Sequence, residues 1–248
     1  MIRKSQMALP STSTITKFSG ALLAATVLAA PAQAGVVRFN ADYSMPIVHG
    51  DTWIESGYQL LFDAYNSNAD SNTGVGSIID GSDPWPCVDM ACPIGGDGSY
   101  YGAFNDSVVW LSSATQGAQF QLKSIDASFI GAGAVLEDFP IVSGYLRMLG
   151  VFADNSYVTI NIPLYGPDNN GFSFDSWTMS PAVAAMNFVQ LEMFGFVCSE
   201  VTCSAFSSNE AQFAIDNIVL AEVPEPATAA IFGLGLMGLI GGARRRKA

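Results

Sequence analysis

The stretch that decides the fold is Tyr157-Val158-Thr159-Ile160-Asn161-Ile162, in which apolar and polar residues alternate. Successive side chains of a β-strand point to opposite faces, so this alternation predicts a strand with one buried face. Val158, Ile160 and Ile162 share that face. Pro163 follows directly and is expected to end the strand, because proline has no N–H to donate to a sheet ladder.

The same alternation recurs along the chain. From Phe188 to Phe196 it places Leu191 and Met193 on the side opposite Glu192. Turn residues recur about every eight to fifteen positions, as in proteins built from two packed sheets. The sequence therefore predicts an all-β fold, an antiparallel β-sandwich that occupies residues 35–222 as one ectodomain. Further strands are predicted at Gln119–Phe129, Ser107–Leu111 and Gln212–Leu220.

One segment, from Asn66 to Gly102, breaks this pattern. It is rich in Asn, Asp, Ser, Gly and Pro and has no periodicity, which predicts a long functional loop or a stretch without order. The segment contains Cys87 and Cys92, and a disulfide between them favours an ordered loop.

The cysteines form two pairs with the same spacing, Cys87 with Cys92 and Cys198 with Cys203. Four cysteines allow three pairings, and we favour the two local loops. A zinc site of four thiolates is the alternative. An oxidising compartment and the absence of a nearby histidine disfavour it.

The N-terminus has the composition of a secretory signal. Cations precede an apolar run from Phe18 to Ala30, and Ala32 and Ala34 supply the small residues of a cleavage site before Gly35. We predict a signal peptide over residues 1–34, cut after Ala34. An uncleaved membrane anchor is the alternative, but the run is shorter than the roughly 20 apolar residues of a spanning helix.

The C-terminus has the composition of a membrane segment. Residues 227–243 carry no charge, and as a helix they would be about 26 Å long, near the lower limit for crossing a bilayer. The four cations that follow would hold that end in the cytoplasm. A buried core helix is the alternative, but the segment has no polar face and those cations would need to be neutralised.

Charge is distributed unevenly along the chain. All 22 acidic residues lie between Asp42 and Glu225, and the part from Gly35 to Glu225 contains three cations, Arg38, Lys123 and Arg147, so its net charge is −19. Nucleic acids and anionic lipids require a cationic surface, so neither is expected as a partner. The charge fits solubility outside the cell, Ca²⁺ binding, or contact with neutral or cationic material.

The last 26 residues resemble the PEP-CTERM sorting signal. The resemblance is carried by Pro224-Glu225-Pro226, a glycine-rich apolar span and Arg244-Arg245-Arg246, in that order. It implies a sorting domain over residues 223–248 with a single transmembrane helix, recognised by an exosortase that removes the tail. It also implies transit through the inner membrane to the cell surface or extracellular matrix of a Gram-negative bacterium that makes exopolysaccharide.

A second resemblance concerns the ectodomain. The segment Gln212–Leu220 resembles the last strand of jelly-roll modules of the carbohydrate-binding type, so a jelly-roll-like sandwich is expected. Many such modules hold a structural Ca²⁺ between an aspartate of that strand and an acid of the first strand. The resemblance implies Asp216 and Asn40 as the calcium ligands here, with the amide oxygen of Asn40 in place of a carboxylate.

Signals for other chemistry are weaker. Asn66–Gly74 has oxygen-bearing side chains at alternate positions, but the EF-hand order fails, so an Asn/Ser-rich turn is favoured. His49 is the only histidine, and no Gly-x-Ser-x-Gly nucleophile motif accompanies it. The pattern singles out no pair among the 22 acids for glycoside cleavage. We expect no enzymatic activity, with a glycoside hydrolase or lyase as the less favoured alternative.

Aromatic side chains offer a route to sugar binding, since their faces can stack on sugar rings. Most large aromatic residues of a sandwich belong to its core. Trp85 lies between two prolines in the polar segment, and we predict it, with Tyr100 and Tyr101, as a ligand contact. The full set of candidate rings is Trp53, Trp85, Trp110, Trp177, Tyr100 and Tyr101.

These features predict an exported, non-enzymatic surface or matrix protein, sorted by an exosortase, whose ectodomain binds or scaffolds exopolysaccharide. A structural, adhesin-like coat protein that contacts other proteins is the alternative. No cofactor is expected other than a structural Ca²⁺.

Overall fold

The computed structural model describes residues 34–41, 44–66, 68–82, 87, 90–94, 98–133, 136 and 139–223, and residues 34–223 belong to one compact unit. Within this part of the chain there are fourteen strands and one single-turn helix. They are β1 (Ala34–Val37), β2 (Met45–Val48), β3 (Thr52–Glu55), β4 (Tyr58–Ala64), β5 (Gly74–Asp80), β6 (Ser99–Ala103), β7 (Ser107–Ser113), β8 (Phe120–Phe129), β9 (Val142–Val151), β10 (Tyr157–Tyr165), β11 (Asp175–Thr178), α1 (Pro181–Ala184), β12 (Gln190–Cys198), β13 (Cys203–Ser204) and β14 (Phe213–Glu222).

The strands form two antiparallel sheets. Sheet A has the order β11-β8-β14-β6-β5-β2, with β1 added beside β14. Sheet B has the order β10-β9-β12-β7-β4-β3, with β13 added beside β12. The predicted all-β class and the antiparallel β-sandwich are confirmed. The strands β7, β8, β10, β12 and β14 lie where the alternation predicted strands.

The main core lies between the sheets. Leu191 and Met193 of β12 are fully buried there, as the alternation predicted. Its largest side chains are aromatic, and each contributes a large buried apolar area. The largest of them are Tyr58, Tyr101, Phe39, Phe62, Phe120, Phe129, Phe172, Phe188 and Phe213.

A second, smaller core lies on the other side of sheet A. It contains Ile79 of β5, Tyr100 of β6 and the disulfide between Cys87 and Cys92. Sheet A is thus covered on both faces where β5 and β6 pair. This explains why β5 is buried from Val75 to Ile79 without alternation.

The prediction of a loop or disordered stretch from Asn66 to Gly102 was therefore partly wrong. Two strands, β5 and β6, lie within it and pair with each other. Strands buried on both faces have no polar face, so a periodicity of two residues cannot reveal them.

The predicted end of β10 was also wrong. The strand continues through Pro163, which pairs with Tyr145, and ends at Tyr165. Because β10 is an edge strand of sheet B, it has a neighbour on one side within the described residues. Proline is tolerated at such an edge, where its position requires no ladder donor.

The two ends of the unit lie side by side, since Ala34 of β1 pairs with Ala221 of β14. Residues 1–33, which hold most of the predicted signal peptide, lie outside the described residues, and so do residues 224–248 with the predicted transmembrane helix. Within the described ranges, no helix has the length and apolarity needed to cross a membrane.

Candidate ligand-binding face

The candidate site is the outer face of sheet B. Leu191 and Met193 of β12 point into the core, so the alternate residues Glu192, Phe194 and Phe196 point outward. The neighbouring strands β4, β7, β9 and β10 follow the same rule. We call the outward side chains of these five strands the outer face.

Side chains of the outer face form rows across the strands. In the first row Trp110 of β7 pairs with Glu192 of β12, which pairs with Leu149 of β9. Trp110, Glu192 and Leu149 are half-buried, and Thr159 of β10 beyond them is exposed. An apolar ring surface and a hydrogen-bonding carboxyl group therefore lie next to each other, both open to solvent. Burial raises the pKa of Glu192 above its ordinary value.

The second row contains a cation. Arg147 of β9 lies between Phe194 of β12 and Asn161 of β10. Its Nε donates a hydrogen bond of 2.8 Å to Asn161 Oδ1, and its Cζ lies 4.3 Å from the centroid of the Phe196 ring. This distance is that of a cation–π contact, which attracts the guanidinium to the face of the ring.

Aromatic residues close one side of the face. Phe206 stacks on Tyr65 with 3.8 Å between the ring centroids and an interplanar angle of 14°. It also contacts Phe194 at 5.0 Å, which leaves Phe194 only 8% exposed. The segment that carries Phe206 is also held by a hydrogen bond of 3.2 Å from the backbone N–H of Asn209 to Asp106 Oδ2.

A cleft of about 580 Å³ adjoins the face beside Tyr145. The hairpin closed by the Cys198–Cys203 disulfide forms one wall, and residues 139–142 form the other. Ile141 and Val201 lie at its rim and are 87% and 88% exposed. The end of the outer face is therefore a depression that bears both apolar and polar groups.

The structure pairs the cysteines as two local loops, Cys87 with Cys92 and Cys198 with Cys203, which is the pairing that the sequence favoured. The first disulfide is buried in the second core, whereas Cys203 of the second is exposed. The described part of the chain holds no free cysteine, so its thiols do not form a zinc site.

The prediction of Tyr100 and Tyr101 as ligand contacts was wrong. Both side chains are fully buried, one in each core. Their hydroxyls donate to backbone carbonyls, Tyr100 to Pro93 at 3.1 Å and Tyr101 to Val75 at 3.0 Å. Alternation places these two side chains on opposite faces of sheet A, but the loop that carries Cys87 covers the face that is turned away from sheet B. Trp85, the third predicted contact, lies outside the described residues.

The calcium site implied by the jelly-roll resemblance stays a hypothesis, and its two ligands lie in different surroundings. Asp216 is only 2% exposed, and both of its carboxylate oxygens accept hydrogen bonds from Asn217, at 2.7 Å and 3.3 Å. Asn40 is exposed. Glu55, whose charge acts on Asp216, already accepts hydrogen bonds from the N–H groups of Phe39 and Trp53. Across the ranges that are described, no three His, Cys, Asp or Glu side chains are grouped so as to hold a metal ion.

Two other motifs have structural roles. In the Asn66–Gly74 segment, Asn66 Oδ1 accepts a hydrogen bond from the N–H of Asn68, and Asp70 Oδ1 accepts one from the N–H of Asn72. These are Asx turns, the polar turn that the composition favoured. His49 Nδ1 contacts Asp63 Oδ1, which also accepts a hydrogen bond of 3.0 Å from the N–H of Ala64.

Reasoning from the sequence missed most of the outer face. Trp110 was one candidate ring among six, but Tyr145, Arg147, Tyr157 and Phe196 were not singled out. One signal was available. The alternation that buried Leu191 and Met193 also placed Phe196 on the solvent side, where a large aromatic residue requires a reason.

Comparisons with known proteins identify the C-terminus. Residues 222–247 match the PEP-CTERM protein-sorting motif, which confirms the resemblance and marks the chain as an exported protein that transits a membrane to reach the cell surface. No curated protein sequence matches the chain.

Among solved structures, a DUF4465 family protein from Bacteroides caccae is 11% identical, covering 85% of this chain and 99% of its own, with a TM-score of 0.40. A variant of a family 29 carbohydrate-binding module is 8% identical over 78% of this chain and 87% of its own, with a TM-score of 0.34. A family 15 xylan-binding module is 10% identical over 75% of this chain and all of its own, with a TM-score of 0.30. Similarity at this level concerns the arrangement of strands and says nothing of a ligand.

Proposed function

We propose that this protein is an exported, non-catalytic module that binds exopolysaccharide at the cell surface or in the extracellular matrix, through the outer face of sheet B. One observation carries the proposal. Half-buried aromatic side chains alternate there with hydrogen-bonding groups across neighbouring strands. Trp110 lies beside Glu192, and Phe196 and Tyr145 lie beside Arg147.

Such a surface suits a sugar polymer for two physical reasons. An aromatic ring buries the apolar C–H face of a sugar, and adjacent carboxyl, amide and guanidinium groups satisfy its hydroxyls. Strands lie about 4.8 Å apart, so a chain that crosses them meets new side chains at each strand. An open face also admits the interior of a long polymer, which a closed pocket would exclude.

The sorting motif supports the location. An exosortase is the expected processing partner, acting at Pro224-Glu225-Pro226 during transit through the inner membrane of a Gram-negative bacterium. The described unit ends at Val223, the residue just before that motif. β14 ends at Glu222, and the N–H of Val223 donates a hydrogen bond of 2.9 Å to the carbonyl oxygen of Gln119. Removal of the tail would therefore leave the binding face intact.

The test is retention of residues 35–223 on a panel of insoluble and soluble polysaccharides. This fragment is suitable because residues 34–223 are one compact unit with their own core. It should be produced in an oxidising compartment so that both disulfides form. Trp110→Ala and Tyr157→Ala are each expected to weaken binding roughly 5- to 30-fold, the loss typical of an aromatic contact. Tyr157 is 68% exposed, so its removal leaves the core unchanged.

The matched control is Ile94→Ala. Ile94 is 61% exposed and lies beside the second core, on the loop that covers sheet A. Its replacement is expected to leave retention unchanged. If the wild-type fragment, folded and oxidised, is retained by no polymer, the proposal is wrong.

A coat protein that contacts other proteins is the second candidate, and the rim of the cleft favours it. Ile141 and Val201 are the most exposed large apolar residues among those described. Both line the same cleft, and contiguous exposed apolar surface is typical of protein contacts. If the coat function holds, sedimentation should show self-association that is abolished by combining Ile141→Ser with Val201→Ser, while Trp110→Ala has no effect.

A further inference from the structure

The strongest unexplained feature of the outer face is Arg147. From Gly35 to Glu225 the chain has 22 acids and only three cations. In so acidic a protein a cation is expected to attract a carboxylate partner. Arg147 has none, because the described residues place no carboxylate oxygen within salt-bridge distance of it.

Two contacts hold Arg147 in place and leave its two terminal amino groups available to a ligand. Nε donates to Asn161 Oδ1, and the Phe196 ring supports the guanidinium plane. Neither terminal amino group donates a hydrogen bond to a described residue. An arginine that two contacts already hold in place loses little side-chain entropy when a ligand arrives, so its binding energy is largely retained.

The chemistry of this arrangement favours a carboxylate. The guanidinium fork matches the two oxygens of a carboxylate with parallel N–H···O bonds. Both partners of such a bond are charged, so it is stronger than the bond of the guanidinium to a neutral sugar hydroxyl.

The surrounding charges limit what can bind. Glu192 lies on the same face, and Asp63 at the end of the row contacts His49 Nδ1. Charges farther away are screened over about 8 Å at physiological ionic strength. A densely charged polymer such as a nucleic acid would be repelled by the net charge of −19. A single carboxylate carried on a sugar ring beside Tyr145 would meet the cation first.

We propose that the outer face selects acidic polysaccharides, and that Arg147 binds the carboxylate of a uronic acid residue whose ring stacks on the neighbouring aromatic side chains. This inference rests on the proposed function and adds the class of polymer. It assigns Arg147 as the residue that determines specificity, supported by Phe196 and positioned by Asn161.

The experiment uses three polysaccharides in which single uronic acid residues are spaced among neutral sugars, a glucuronoxylan, gum arabic and gellan, each beside its own carboxyl-reduced form. Reduction converts the carboxylate to a hydroxymethyl group and leaves the linkage unchanged. The fragment 35–223 is expected to bind at least one acidic polymer about tenfold or more tightly than its reduced form. Arg147→Gln should lower that ratio to about one with little change for the reduced polymer. Arg147→Lys, which keeps the charge without the fork, should restore part of the preference.

Arg38→Gln is the matched control, because it removes the same charge from an exposed position that is not on the outer face. It should retain the full preference, and circular dichroism should show that all variants are folded. Equal binding of acidic and reduced polymers by the wild type, or an unchanged preference in Arg147→Gln, overturns the inference but leaves the proposed function standing. Binding to none of the six polymers or the wider panel overturns both.

Discussion

Asp216 of β14 lies directly opposite Asp126 of β8, and the side-chain amide of Asn217 donates hydrogen bonds to both carboxylates, at 3.3 Å and 2.9 Å. The register of the two strands shifts just after this pair, where Asn217 has a positive φ of 45°. Asparagine tolerates this conformation better than most residues, so the bulge and the bridging amide have a common origin.

This pair predicts how stability depends on pH. Burial, with smaller contributions from the charges of Asp126 and Glu55, raises the pKa of Asp216 from 3.8 to about 7. The folded state therefore binds more protons than the unfolded state between these values. The free energy of unfolding is expected to fall as pH rises from about 4 to about 7, by up to about 4 kcal/mol, and to level off above that range.

Urea unfolding of wild type and Asp216→Asn at several pH values measures this effect. The variant cannot ionise at that position, so its stability should decline less across the range and exceed that of the wild type at pH 8. Glu200→Gln, at an exposed position, controls for the change in net charge. A decline in Asp216→Asn as steep as in the wild type would contradict the assignment.

Chelation of divalent cations is expected to leave the melting temperature unchanged. Asp216 is 2% exposed, both of its oxygens accept hydrogen bonds from Asn217, and no group of three His, Cys, Asp or Glu side chains that could hold a metal lies within the described residues. A calorimetric scan with and without chelator measures this. A ligand that binds only the folded state raises stability as its concentration rises, so a melting temperature that increases with added calcium would indicate a structural site.

Gly150 predicts a packing effect. A Cβ added there would overlap the ring of Phe188, which is fully buried and packs against Phe152 with 5.5 Å between ring centroids. Gly150→Ala should lower the free energy of unfolding by about 1–3 kcal/mol, the usual cost of overpacking. At Gly74 an added Cβ meets no atom within 4 Å. Gly74→Ala should therefore be nearly neutral in the same urea titration, and equal losses in both variants would argue against the overlap.

The two disulfides provide a matched comparison, since each closes a loop with a sequence separation of five. Loop-closure entropy predicts the same loss, about 2 kcal/mol, when either pair is changed to alanine. Cys87 and Cys92 are both buried in the second core, so their removal should cost about 1–2 kcal/mol more through lost packing. Unfolding of the two double variants measures the difference. A larger loss for the Cys198 and Cys203 variant would show that the exposed hairpin carries more stability than its burial indicates.

Whether a strand could be predicted from the sequence depended on how many of its faces are buried. Strands with one face in the core and one in solvent, such as β10 and β12, were located from the sequence because alternation reports that arrangement directly, although β10 continues past Pro163. The strand β5 was not, since both of its faces are covered. Tyr100 was misjudged for the same reason. The loop that carries Cys87 covers the side of sheet A that alternation assigns to solvent.

The amino-acid sequence by itself determined the fold class, the two local disulfides and the sorting motif, because each depends on residues close together in the chain. Only the tertiary structure decided which aromatic residues face solvent and that Arg147 lies between Phe194 and Asn161 with no acid partner among the residues that the structure describes. Those facts depend on strand register and on which loop covers which face, and both are set by contacts between residues far apart in sequence.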